Sequence, residues 1–237
     1  MILGETRALY VGELPATGWH CHAAPVLLIG LSGRFALHLP AGRQSCRSAL
    51  IDCGVEHVFD PCGERVALMY LEPDALEARR LRSLFRAQGG VIFDPAAAPV
   101  ARSHVESRLR SFDLDALLRH RVPDPGALDL RVQHSMKYLR LVGAAPAGRE
   151  GAADAVSLSA SRFNHLFREE TGVSFRSYRV WAQVRAAMAG MGPHINLTEA
   201  ALHGAFADSS HFSRTFRKTF GMTPSTVLKP LKELSFV

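Results

Sequence analysis

Residues 161–172 read Ser-Arg-Phe-Asn-His-Leu-Phe-Arg-Glu-Glu-Thr-Gly, and residues 210–221 read Ser-His-Phe-Ser-Arg-Thr-Phe-Arg-Lys-Thr-Phe-Gly. A shift of 49 positions lays Ser161, Phe163, Phe167, Arg168 and Gly172 on Ser210, Phe212, Phe216, Arg217 and Gly221. A period of this size means one supersecondary unit used twice.

Each copy reads as a helix with two faces. Phe163, Leu166 and Phe167 fall at i, i+3 and i+4 and form one apolar stripe. Ser161, His165 and Arg168 lie across from it, flanked by Asn164. In the second copy Phe212 and Phe216 point inward, and Ser210, Arg214 and Arg217 point outward, flanked by Ser213. Gly172 and Gly221 end the helices, since glycine enters the left-handed conformation of a helix C-terminus without steric cost. Hydrogen-bonding and cationic groups on the free face of a short, anchored helix are what reading a major groove requires. One copy alone could be an ordinary amphipathic helix with a solvated face; the second copy weighs against that.

The pattern resembles the DNA-binding domain of the AraC/XylS family of transcription regulators, in which a long helix joins two helix-turn-helix units. Ala201, Phe206, Asp208, Ser210, His211, Phe212, Arg214, Phe216, Arg217, Phe220, Gly221, Thr223, Pro224 and Ser225 stand in register with that family's second signature. The resemblance covers roughly residues 128–230 and implies a double-stranded DNA partner, a promoter operator. It also implies RNA polymerase as a partner, an effector and a homodimer. The DNA-facing residues it implies are Ser161, Asn164, His165 and Arg168 in one unit and Ser209, Ser210, Ser213, Arg214, Arg217 and Lys218 in the other. There are departures. Ser157 and Ala205 replace the turn glycines, Gln183 stands where the connector usually carries arginine, and Thr226 follows where Tyr-Arg is usual.

Charge supports a polyanionic partner. Residues 1–125 carry 14 basic and 14 acidic side chains, and residues 126–237 carry 14 and 8, so the net +6 resides in the repeat-bearing half. An apolar content of 47% excludes a disordered chain, and 237 residues suffice for two modest domains. The longest apolar run, Ala23–Leu31, is well short of the ~20 residues of a membrane span. The first residues lack the layout of a signal peptide, so the expectation is a soluble cytoplasmic protein with no membrane partner.

The expected fold class is α+β. Residues 1–125 form a cupin-like β-barrel sensor domain with a helical extension, and residues 126–237 form the all-α domain with two helix-turn-helix units. Short apolar or alternating runs at 26–31, 34–39, 57–59 and 65–71, separated by Gly33, Pro40, Gly42, Gly54 and Gly63, indicate strands. The cupin resemblance rests on His20-x-His22, Gly33 and Gly54-x-x-His57; the carboxylate usual after the histidine pair is missing, Pro25 and Val26 standing there. His20 and His22 share a strand face, and His57 could join them across the barrel as a transition-metal set. Cys21, Cys46, Cys53 and Cys62 lie in the same segment without a Cys-x-x-Cys pair. They read either as a thiol sensor or as small buried hydrophobes, just as the histidines read either as a metal site or as barrel core.

Residues 75–125 are expected to turn helical, around Leu76–Phe85, then Val105, Leu109, Phe112, Leu117 and Leu118, with Pro123–Gly126 as the domain boundary. In the family this extension supplies a dimer interface; packing against the barrel is the other reading. The basic half should hold a bracing helix through Leu130, Val132, Met136, Leu139 and Leu141, and supporting helices at 150–156 and 198–203. Its connector, 174–189, has Phe175, Tyr178, Trp181, Val184 and Met188 on one side. No catalytic residues are assigned. A metal-dependent cupin-type enzyme fused to a DNA-binding module is the alternative, and it lacks a carboxylate ligand, a catalytic triad order and a phosphate loop.

Overall fold

The computed structural model describes residues 1–95, 113–118, 121–141, 148–191, 196–228 and 235–236. The N-terminal half holds β1 (Ile2–Leu3), β2 (Arg7–Gly12), β3 (Val26–Gly30), β4 (Phe35–Leu39), β5 (Gly42–Cys46), β6 (Ser48–Ile51), β7 (Val58–Asp60), β8 (Val66–Leu71), α1 (Leu76–Ala87) and β9 (Val91–Phe93). A short helix, α2 (Leu114–Leu118), follows. The C-terminal half holds α3 (Leu130–Leu141), α4 (Arg149–Asp154), α5 (Ala160–Thr171), α6 (Phe175–Ala189), α7 (Leu197–His203), α8 (Ser209–Phe220) and α9 (Pro224–Leu228). β10 (Ser235–Phe236) returns to the N-terminal sheet and pairs in parallel with β1. Among the described residues no helix is long and apolar enough to cross a membrane.

The strands form two sheets, ordered β10-β1-β2-β8-β3-β6-β9 and β5-β4-β7. The expected closed barrel does not form: the strands make two separate sheets, and among the described residues only the bridge between His20 and His57 is added outside the named strands. The larger sheet is apolar on both faces because both are covered. Leu9, Leu27, Ile29, Leu50 and Met69 pack on α1, through Ala78, Leu81 and Phe85, while Tyr10, Val26, Leu28 and Leu68 alternate onto the other side. β9 adds a strand to a stretch expected to be helical, just past the expected end of the first helix, since Ile92 pairs with Leu50. The expected helix through Val105, Leu109 and Phe112 lies outside the described residues.

The two helix-turn-helix units are held differently. α3, α4, α5 and the start of α6 enclose one core, with Val132, Met136, Phe163, Phe167, Phe175 and Tyr178 buried in it. Trp181, Val184, Ala187 and Met188 of α6 join Ala200, Ala201, Phe212 and Phe216 in a core that also includes Leu28, Phe35 and Leu68 of the sheets. Leu130, expected in the bracing stripe, is 66% exposed. α7 begins before Thr198, capped by the Asn196 side chain, which accepts from the Thr198 amide at 2.9 Å.

Both turns take the conformation their missing glycines would have favoured. Ser157 has φ 54° and Ala205 has φ 50°, in the left-handed region where a Cβ crowds the following carbonyl. Left-handed backbone costs a non-glycine residue ~1–2 kcal/mol, and glycine's greater freedom in the unfolded chain cancels part of the gain from relieving it. Ser157→Gly and Ala205→Gly are each expected to raise stability by ~0.5–1 kcal/mol in urea titrations; a loss in both would contradict the strained turns.

Candidate nucleic-acid interface and its coupling to the β-domain

The repeated phrase forms α5 and α8. The Ser159 side chain accepts from the Arg162 amide and caps α5, and the Asp208 carboxylate accepts from the His211 amide and caps α8. Phe163, Leu166 and Phe167, and their counterparts Phe212 and Phe216, are buried, so each helix has one orientation available. Ser161, His165 and Arg168 are exposed on α5 and Asn164 is half-buried. On α8, Ser210, Arg214, Arg217 and Lys218 are exposed, and Ser209 and Ser213 are half-buried. Arg168, Arg214, Arg217 and Lys218 form no ion pair with another described residue, which leaves their charge available to an outside anion. His165 lies 3.9 Å from Glu169, but both are largely exposed, so the contact contributes little.

The carbonyl ends of both helices dock on the β-domain. Gly172 (φ 83°) and Gly221 (φ 69°) turn the chain into the left-handed conformation. The Arg82 guanidinium of α1 donates to the Glu170 and Glu169 carbonyls at 2.8 and 2.6 Å, and the Cys53 thiol lies 3.8 Å from the Gly172 carbonyl. At the other end the Gly18 amide donates to the Gly221 carbonyl at 2.8 Å. A Cβ on Gly221 would stand 2.6 Å from the Gly18 carbonyl oxygen and 2.7 Å from His20 Nδ1, so only glycine fits. A third tie joins the connector to the end of the central strand β8. Trp181 Nε1 donates to Glu72 Oε1 at 3.0 Å, and Arg185 pairs with the same oxygen and with the Gly4 carbonyl. Burial raises the Glu72 pKa in spite of the guanidinium beside it. These residues were not singled out from the sequence. A lone Arg82, Glu72 or Arg185 has no local pattern, and its role depends on pairing across ~90–110 residues of chain.

The three histidines lie together, although His20 and His22 belong to no named strand and an isolated bridge from His20 to His57 replaces the expected shared strand face. His20 and His57 exchange backbone hydrogen bonds at 3.1 and 3.0 Å, and the ring centroids of His20, His22 and His57 lie 4.4–5.1 Å apart. All three are buried, and His20 Nδ1 and His57 Nδ1 each meet a backbone carbonyl at 2.9 Å, those of Gly18 and Val55. His22 Nδ1 is buried without a partner, an arrangement that costs ~1–3 kcal/mol when nothing compensates it. Burial, then the neighbouring His57, lowers the His20 pKa to about 4. Burial likewise takes His22 well below its ordinary value and lowers His57, so all three rings are neutral. Among the described residues no carboxylate belongs to the cluster.

The cysteines do not form one group. Cys46 is buried and Cys53 half-buried, and burial pushes both thiols up to about 12; Cys21 and Cys62 are exposed. Because the thiolate is the reacting form, iodoacetamide at neutral pH should label Cys21 and Cys62 in the folded chain well before Cys46 and Cys53. Equal labelling of all four, read by peptide mass spectrometry, would contradict these environments.

Residues 152–230 match a family model described as a helix-turn-helix domain. An uncharacterized HTH-type transcriptional regulator of Escherichia coli K12, YpdC, is 32% identical over 82 residues, 34% of this chain. The chain spans 29% of the length of that relative. Among solved structures, ToxT from Vibrio cholerae superposes with a TM-score of 0.61 at 10% identity, covering 97% of this chain and 100% of ToxT. ToxT solved with an unsaturated fatty acid bound gives 0.59 at 12% identity, covering 97% and 98%. That likeness shows the two-part fold, a β-domain followed by paired helix-turn-helix units. Residues 152–230 of this chain therefore form a helix-turn-helix domain, and the chain as a whole shares the ToxT fold.

Proposed function

We propose that the protein is a sequence-specific transcriptional regulator that sets α5 and α8 into successive major grooves of promoter DNA. The observation that carries this reading is the pair of capped, phenylalanine-anchored helices with unpartnered cationic faces, held by one connector, α6. Successive grooves on one face of a duplex lie ~34 Å apart. Ser161, Asn164, His165 and Arg168 serve one groove. Ser209, Ser210, Ser213 and Arg214 serve the other, with Arg217 and Lys218 at its phosphates beside Arg168's role in the first. Arg214 has the length and the two-pronged donor geometry to take guanine O6 and N7 together. A reader of promoter DNA acts in the cytoplasm, meets RNA polymerase there, and gains operator length by pairing as a homodimer.

The β-domain supplies the effector response. An apolar cavity of about 50 Å³ lies between the sheet and the C-terminal half, walled by Tyr10, Leu68, Tyr70, Trp181, Phe216 and Phe220. That space holds little more than a water molecule, whereas ligand pockets run to ~300–1,000 Å³. A small molecule entering there must part the domain interface, and it shifts DNA affinity only by binding the parted state better. The cupin-type enzyme reading has less support: among the described residues the histidine cluster contains no carboxylate to act as an acid or base.

Arg214→Ala is expected to cost ~1–3 kcal/mol at one base position and to relax specificity there, whereas Arg217→Ala should weaken all sequences alike and lower the salt slope by about one. Randomised-duplex selection followed by binding at several salt concentrations separates the two. Uniform weakening from Arg214→Ala would restrict that residue to phosphate contact.

A further inference from the structure

We propose that His20, His22 and His57 bind one divalent transition-metal ion, with zinc the best match, and that the occupied site braces the C-terminal end of α8. The ligand nitrogens of the three rings lie within 4.8 Å of one another. In a tetrahedral zinc site they would be ~3.4 Å apart, so side-chain shifts of the order of an ångström close the set. The rings are oriented for this. The Nδ1 contacts of His20 and His57 with backbone carbonyls assign the proton to Nδ1 and direct the Nε2 lone pairs elsewhere. A hydrogen bond at one ring nitrogen is the usual way a protein fixes a metal-binding imidazole. His22, buried to 4% exposure, has an Nδ1 that meets no partner among the described residues. The Tyr70 hydroxyl stands 3.5 Å from His22 Nε2, which leaves His22 Nδ1 to face the ion and a water to complete the four positions. Three neutral imidazoles suit a borderline cation such as zinc, and hard magnesium or calcium would find no oxygen set.

The position of the cluster gives the ion a route to the DNA-reading half. His22 packs on Phe220, the last residue of α8, with ring centroids 5.7 Å apart. His20 lies against Gly221, and its neighbour Gly18 holds the Gly221 carbonyl. An ion that pins the three rings therefore stiffens the surface on which α8 ends. Metal binding does not depend on the DNA-binding reading, and its test uses no DNA.

The full-length protein, stripped with a chelator under reducing conditions, would be titrated with Co(II) as a spectroscopic probe and then with Zn(II). The expected result is saturation at one ion per chain with the intense visible bands of tetrahedral cobalt, displaced by zinc. His22→Ala and the shape-conserving His57→Gln should each weaken binding by roughly 100-fold or more, while His134→Ala, at an exposed histidine, leaves it unchanged. In the wild-type protein, zinc should slow hydrogen exchange in the segment 216–222. Absence of saturable one-to-one binding would overturn the site, as would equal affinity in His57→Gln. One-to-one binding with unchanged exchange at 216–222 would overturn the coupling to α8. The wild-type titration and exchange decide these points even if a histidine variant fails to fold.

Discussion

The last carbonyls of an α-helix have no partner inside the helix, and in this protein the β-domain supplies partners for both recognition helices. Arg82 of α1 takes the carbonyls at the end of α5, and the Gly18 amide takes the Gly221 carbonyl beyond α8. A left-handed glycine follows each helix and closes its last turn, its amide donating to the Arg168 or the Arg217 carbonyl. The helices are thus fastened at their carbonyl ends to one rigid body, and their polar faces and amide ends stay exposed. That is the polarity a groove-reading helix needs, since its N-terminal residues approach the bases.

The rest of the packing follows from this fastening. α6 belongs to two cores. Its first half packs with α3, α4 and α5, and its second half packs with α7, α8 and the sheet interior. A displacement of the β-domain therefore acts directly on the second unit, and reaches the first through α6 and the Arg82 contact. The Glu72–Arg185 pair, with Trp181 on the same oxygen, fixes where α6 sits against the end of the central strand β8. Buried pairs of this kind set geometry more reliably than they add stability, because desolvation offsets much of their attraction.

Legibility from the sequence tracked how local the signal was. The two recognition helices, their stripes and their terminal glycines follow from spacing over a few residues, and Phe163, Phe167, Phe212 and Phe216 are buried as the spacing requires. The connector's aromatic stripe was readable for the same reason. β5 was not, because Gly42–Cys46 is mostly exposed and polar and is a strand through its pairing with β4 alone. β9 was hidden after a long helix, where only its contact with β6 makes it a strand. The period-two spacing of His20 and His22 suggests a shared strand face, but neither lies in a named strand; the bridge to His57 brings the rings together, and their place beneath the end of α8 has no local signal. Nothing local in the sequence links residue 22 to residue 220; the shared core does.

Hydroxyl-radical footprinting of the full-length protein on a selected operator tests the central claim most directly. Two recognition helices held at fixed spacing on one body predict two protected tracts on the same face of the duplex, one helical turn (~10.5 base pairs) apart. Arg214→Ala should thin only the tract that α8 occupies. A single protected tract, or two whose separation varies from site to site, would contradict a rigid pair of readers.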